Sequence, residues 1–198
     1  MTAQHDKLNE KISAMLASST AHRVIARRLF LYDFTSVFTD QQDRGFSILN
    51  TVCEYFRLPF SAVKVAGSAQ TGHSYFSDRD FSPGVSDLDL AIISPTLFQH
   101  YCQEIYWATH SYSDLSKFPR KEGVSVAQEF RNYLSAGFFR PDLMPDLQLK
   151  TDWFSFFNRL SNKHTDLFHD INAGIYLSEV FFEIKNSSII SAYRKGKS

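Results

Sequence analysis

Three things are scarce in this chain of 198 residues, and each scarcity excludes a class. Only two cysteines occur, Cys53 and Cys102, with no CxxC spacing, so neither a disulfide scaffold nor a structural zinc site is encoded. No window approaches 18 consecutive apolar residues, so a membrane-spanning helix is not expected. Excess charge of one sign is missing as well. Lys plus Arg number 21 and Asp plus Glu number 21, and neither half of the chain departs far from neutrality. A nucleic-acid coat spread over the whole surface is thereby excluded, though a local basic patch is not. Met1 to Glu10 has no apolar core of the kind a secretory leader needs, which together with the few cysteines makes a reducing cytoplasm the expected compartment. Internal repeats and low-complexity segments are also missing.

What the chain has in quantity is phenylalanine, 19 in all, and a clear change of texture near residue 58. Before it, apolar residues recur at helical spacing: Leu8, Ile12 and Met15; then Val24, Ile25, Leu29 and Tyr32; then Phe46, Leu49, Cys53 and Phe56. The spacing predicts helices over 7–17, 21–38 and 44–57, ended by Leu58-Pro59. After it, VKVAGS (63–68) reads as a strand running into a turn. LDLAIIS (88–94) reads as a central, mostly apolar strand. Ser94-Pro95 is an N-cap and first-turn pair for a helix over 95–109. A helix follows at 125–136 and ends near Gly137. A Pro-punctuated loop comes next. Thr151 or Asp152 is placed to cap the aromatic helix WFSFFNRL. DINAGIYLS (170–178) is a third strand, and a closing helix covers 179–195.

The chemistry concentrates in 63–94. In a strand, residues two apart project from one side, so Asp87 and Asp89 stand together while Leu88 and Leu90 point into the packed face. Two carboxylates that close repel one another, and a hard divalent cation between them is the usual relief. Upstream, Gly67-Ser68 follows a strand directly. A glycine there lets backbone approach a ligand, and the exposed N–H groups of such a turn cradle phosphate oxygens. A phosphate-binding turn beside a carboxylate pair is the minimum equipment for phosphoryl or nucleotidyl transfer.

These residues, strand–Gly-Ser–spacer–Asp-x-Asp–strand, resemble the signature of the nucleotidyltransferase fold of polymerase-β-like enzymes. GSAQTG and SDLDLAIIS, followed by Arg140-Pro141-Asp142-Leu143-Met144-Pro145 and Asn172-Ala173-Gly174-Ile175-Tyr176, are similar to a subgroup of small bacterial nucleotidyltransferase-domain proteins. The resemblance spans roughly residues 45–195. It implies an α+β fold, with a mixed β-sheet, helices packed on one face and a helical N-terminal extension. Residues 1–44 would be that extension and 45–198 the nucleotidyltransferase-like domain. It further implies a Mg²⁺-dependent transfer (Mn²⁺ being the alternative ion) of an NMP from an NTP such as ATP to an unidentified acceptor, RNA or protein, with release of pyrophosphate. Asp87 and Asp89 would hold the metal, and Asp170 would be the third catalytic carboxylate. Gly67, Ser68, Arg140 and Asn172 would bind the nucleotide.

Two departures from the pattern stand out. The spacing from Gly67 to Asp87 is long, and Asn172 can occupy the place of the third acid, where a neutral amide is a poorer base and metal ligand. A module that binds nucleotide or a protein partner without turnover, in a toxin–antitoxin or antiviral setting, is therefore the competing reading. Other residues have plainer expectations. Asp78 and Asp80 fit a solvated loop, as do His164, Asp166 and His169; Cys53 fits a small buried hydrophobe, and Glu179 and Glu183 fall in the last helix. His73 lies close enough to the turn to touch substrate. The aromatic groups Tyr101, Tyr106, Trp107 and Tyr112, and Trp153, Phe154, Phe156 and Phe157, divide between core and a partner surface.

Overall fold

A computed structural model describes residues 14–197. Its centre is a four-stranded mixed sheet. Strands β1 (Val63–Ala66), β4 (Leu88–Ile93), β8 (Ile171–Tyr176) and β7 (Phe138–Phe139) lie side by side in that order. β1 runs antiparallel to β4, β4 parallel to β8, and β8 antiparallel to β7. Two small hairpins stand apart, β2 (His73–Ser74) with β3 (Arg79–Asp80) and β5 (Arg120–Lys121) with β6 (Val124–Ser125). The α+β class expected from the sequence is what the chain adopts.

Alternation sorts the sheet into two faces. Val63, Val65, Leu88, Leu90, Ile92, Ile171, Ile175 and Phe139 are all buried on one face in the larger core. Helices α2 (Gln42–Phe56), α4 (Pro95–Ala108) and α6 (Gln148–Ser161) cover it. α4 starts as its sequence dictates: Ser94 Oγ accepts from the N–H of Leu97 at 3.2 Å, and Pro95 occupies the first turn. α6 begins at Gln148 without a side-chain cap, upstream of the Thr151 and Asp152 that the pattern suggested.

The opposite face corrects the expectation of helices on one face only. α1 (His22–Arg27), its π-helical continuation Arg28–Tyr32 and the last helix α7 (Glu179–Lys197) pack there around Ala91 and Tyr176. Ile25, Leu29, Phe30, Phe182 and Ile190 form this second core. Residues 22–32 are therefore packed into this second core. The periodicity at 21–38 broke where the π turn ends at Tyr32. Tyr32 itself is 80% exposed, and Val24 is exposed with it. The helix expected over 7–17 lies mostly outside the described residues. Helix α5 (Ala127–Ser135) and the Pro141–Leu143 turn complete the long excursion between β4 and β8.

The aromatic run divides cleanly. Trp153, Phe156 and Phe157 are buried, and their rings interlock with Phe56 and Tyr101. Of the run that divides between core and a partner surface, Trp153, Phe156 and Phe157 are core and Phe154 is half-buried against it. Tyr106 and Trp107 remain exposed.

Candidate nucleotide and metal site

Each functional position follows from sheet register. β1 ends at Ala66, which lies opposite Asp89 near the start of β4. The next residue, Gly67, turns the chain at φ +61° into the short helix α3 (Gly67–Thr71). A Cβ on Gly67 would sit 2.6 Å from Asp89 Oδ2. Glycine is thus required twice, for the left-handed backbone and for the carboxylate against it. On the other flank β8 pairs Asn172 with Asp89. Continuing that register by one pleat sets Asp170 opposite Asp87, and the backbone N–H of Leu88 donates to the Asp170 carbonyl at 2.8 Å.

α3 is held by a buried side chain within GSAQTG. Gln70 Nε2 donates to the Leu29 and Asp33 carbonyls at 2.9 and 3.1 Å, and Thr35 Oγ1 donates to Gln70 Oε1 at 2.8 Å. The π-turn segment is thereby fastened to the helix that presents Ser68. Nothing in spacing announced this role, since the partners lie over 30 residues upstream.

Above Gly67 and Asp89 opens a cavity of about 740 Å³ on the second face of the sheet. Ser68, Asp89, Asn172, His73, Lys185 and Asn186 contribute its polar wall, and Phe30, Tyr75, Phe138 and Tyr176 much of its apolar one. The volume lies in the range of small-molecule and cofactor sites. Asp89 is open to water through the mouth but walled by protein elsewhere. That burial and then the like charge of Asp87 push its carboxyl above the ordinary aspartate value, while Lys185 pulls it back. No hydrogen-bond donor reaches the Asp89 carboxylate among the described residues.

Lys185, on α7, was invisible to sequence reasoning. Its Nζ lies 3.4 Å from the centre of the Phe138 ring and within about 6 Å of Tyr133 and Tyr176. Burial, and then the nearby Arg140, lower it to about 8, against the pull of Asp89 and Asp142. It makes no ion pair within 4 Å among the described residues. Arg140 differs. It lines the same cavity, but its guanidinium donates to Asp142 at 2.5 and 3.1 Å and to the Tyr133 hydroxyl at 3.1 Å. Of the two cations, Lys185 is the one available to an anion. A signal for it existed only in three dimensions: a lysine on the inner side of a late helix.

Asp87 and Asp170 stand at the edge of this arrangement and do not line the cavity. His169 joins them, its Nδ1 3.3 Å from Asp87 Oδ1 and 3.3 Å from Asp170 Oδ2. The segment expected to be simply solvated thus splits. Asp166 pairs with Arg44 at 2.8 Å, whereas exposed His169 faces two carboxylates. His73 reaches the cavity wall and contacts Asp80 at 2.8 Å and Asp78 at 3.2 Å, both of which are solvent-exposed as expected. Glu183 lies elsewhere, buried in an ion pair with Arg23 and Arg27, and Glu179 is exposed at the start of α7.

The three carboxylates do not form one set: Asp87 and Asp170 lie with His169, their ligand atoms within 4.8 Å of one another, while Asp89 falls outside that group and lines the cavity. Comparison with family models, with curated proteins and with solved structures finds no match to this chain.

Proposed function

We propose that the protein is a Mg²⁺-dependent nucleotidyltransferase that moves an NMP from an NTP to an acceptor and releases pyrophosphate. The observation that carries this reading is the contact between Gly67 and Asp89. A left-handed glycine turn opening a helix touches a carboxylate on the floor of a nucleotide-sized cavity.

In this reading Asp87 and Asp89 would hold the metal, which when bound would neutralise phosphate charge and favour departure of pyrophosphate. The N–H groups of the 67–68 turn and the Ser68 hydroxyl receive the terminal phosphates. Lys185 adds a positive charge on the opposite wall, the role the sequence suggested for Arg140. The acceptor hydroxyl attacks the α-phosphorus, the α–β anhydride bond breaks, and a carboxylate, Asp170, takes the hydroxyl proton. Asn172, in register with Asp89, offers its amide to the nucleotide.

The test is incubation with each α-labelled NTP and Mg²⁺ against tRNA, total protein and no acceptor, with pyrophosphate followed in parallel. Label transfer with stoichiometric pyrophosphate supports the proposal. One observation favours a second reading: the residue paired with Asp89 is an amide and not an acid. Nucleotide binding without pyrophosphate under any acceptor would make the chain a binding module.

A further inference from the structure

We infer that Asn186 reads the base of the bound nucleotide. Its side-chain carbonyl accepts from an exocyclic amino group, so adenine and cytosine are taken in preference to guanine and uracil, which carry a carbonyl at that position. The inference rests on the proposed function for the nucleotide; the base-reading residue is what it adds.

Asn186 follows Phe182 by one turn of α7, on the side of the helix that packs on the sheet at Tyr176. It lines the cavity and yet is only 6% exposed. Its Nδ2 donates to the Phe182 carbonyl at 2.9 Å. Only the nitrogen end of the amide can donate to a carbonyl, so this bond fixes the orientation of the side chain. Oδ1 is left with no donor among the described residues. That oxygen is not sealed from water. In a residue so deeply buried, the cavity is what wets it.

The neighbours are apolar. Phe30, edge-on to Phe182 at 6.1 Å, lines the same cavity, as does Ile189, one turn further along α7. A base edge enclosed beside them leaves bulk water, so its polar groups need partners from the protein. An amino group meets that need at Oδ1. A carbonyl in its place sets two acceptors against each other. Nδ2 cannot turn to serve that carbonyl without giving up Phe182. The competing use of Asn186 is structural, as a buried amide that only satisfies the Phe182 carbonyl. A structural amide has no bearing on which base is bound.

Calorimetric titration in Mg²⁺, without acceptor, therefore compares two pairs of nucleotides on the full chain. One pair is ATP and the triphosphate of purine riboside, which is ATP without its exocyclic amino group. The other is CTP and UTP. The first arm reads adenine and the second cytosine. Wild type is expected to bind the amino-bearing member of at least one pair about tenfold or more tightly than the other member. Asn186→Leu and the smaller Asn186→Ala are expected to bring that pair within about twofold, by weakening the amino-bearing member. Thermal unfolding verifies that the variants fold, and the wild-type comparison needs no variant. Equal affinity within both pairs on wild type overturns the inference, as does a preference that a folded Asn186 variant keeps. Nucleotide transfer without such a preference removes the base reading alone and leaves the proposed function. Failure to bind any of the four nucleotides removes both.

Discussion

A methyl group added at position 67 would press on Asp89, and that one contact carries much of the site. The other consequence lies in the carboxylate. Asp89 has its pKa raised in the fold, so between the ordinary aspartate value and the folded one the folded chain holds a proton that the unfolded chain lacks. Stability falls as pH rises through that window, and above it the ionised side chain is a cost. Asp89→Asn is thus expected to melt at a higher temperature than wild type at pH 7, and at the same temperature below about pH 3.5. In the transfer assay the same variant is expected to lose about a hundredfold or more. Scanning calorimetry beside the pyrophosphate assay checks both; a variant that is unstable at pH 7 would mark Asp89 as structural. At this scale the sequence showed the Gly-Ser turn and the Asp-x-Asp pair, because strand alternation and turn chemistry are local. Lys185 and His169 were not legible as site residues. Each reaches its place through tertiary packing, and neither belongs to a spacing pattern.

Among the elements, α1 shows where periodicity misleads, since Val24 and Tyr32 of its expected face are exposed, whereas α7 falls where the sequence placed it. Both cover the sheet's second face, and Glu183 joins them. Its carboxylate accepts from Arg23 Nε at 2.7 Å and Arg27 Nε at 2.5 Å, while both arginines stay about half exposed. A bond from Arg27 holds Glu183 below the ordinary glutamate value, with Arg23 assisting against the cost of burial. The sign follows from a depressed folded pKa. The stabilisation is fully present above the unfolded value, about 4.3, and is lost as pH falls through the folded one. Glu183→Gln is expected to cost about 1–3 kcal/mol at pH 7, less than a wholly buried pair because the arginines remain hydrated. The difference from wild type shrinks as pH drops below 4; urea unfolding at pH 7, 5, 4 and 3 measures it. In α2 the predicted stripe holds at Leu49, Cys53 and Phe56, which pack on the core, and fails at Phe46. Gly45, Ile48, Val52 and Cys53 face the core, and Phe46 lies outside, stacked on Phe60 at 5.5 Å. Aromatic rings that pair on the surface look like core to a hydrophobicity count. The cap of α4 and the strands β1, β4 and β8 were legible within a few residues, since a Ser-Pro pair and apolar runs of strand length have few alternative uses.

For the molecule as a whole, chain order made the sheet readable and hid its covering. A strand, a helix, a strand, a helix and a strand imply a parallel pair joined by a crossover, which β4 and β8 form. The antiparallel β1 edge puts the Gly67 turn at the end of the sheet where β4 and β8 begin. One end of one face therefore gathers all the acids and leaves a cavity beside them. What no local pattern could state is that residues 22–32 and the helix 179–197 pack together over that face, with Phe30 and Lys185 lining the cavity. The proposed function stands or falls on whether this cavity receives a metal-bound triphosphate against the Gly67 turn. Calorimetric titration with an α,β-methylene NTP, with and without Mg²⁺, on wild type and on Gly67→Ala, decides it. Wild type is expected to bind saturably and only with Mg²⁺, and a Gly67→Ala chain that still unfolds cooperatively is expected to bind at least about tenfold more weakly. Equal affinity in the two chains, or binding indifferent to Mg²⁺, would overturn the proposal.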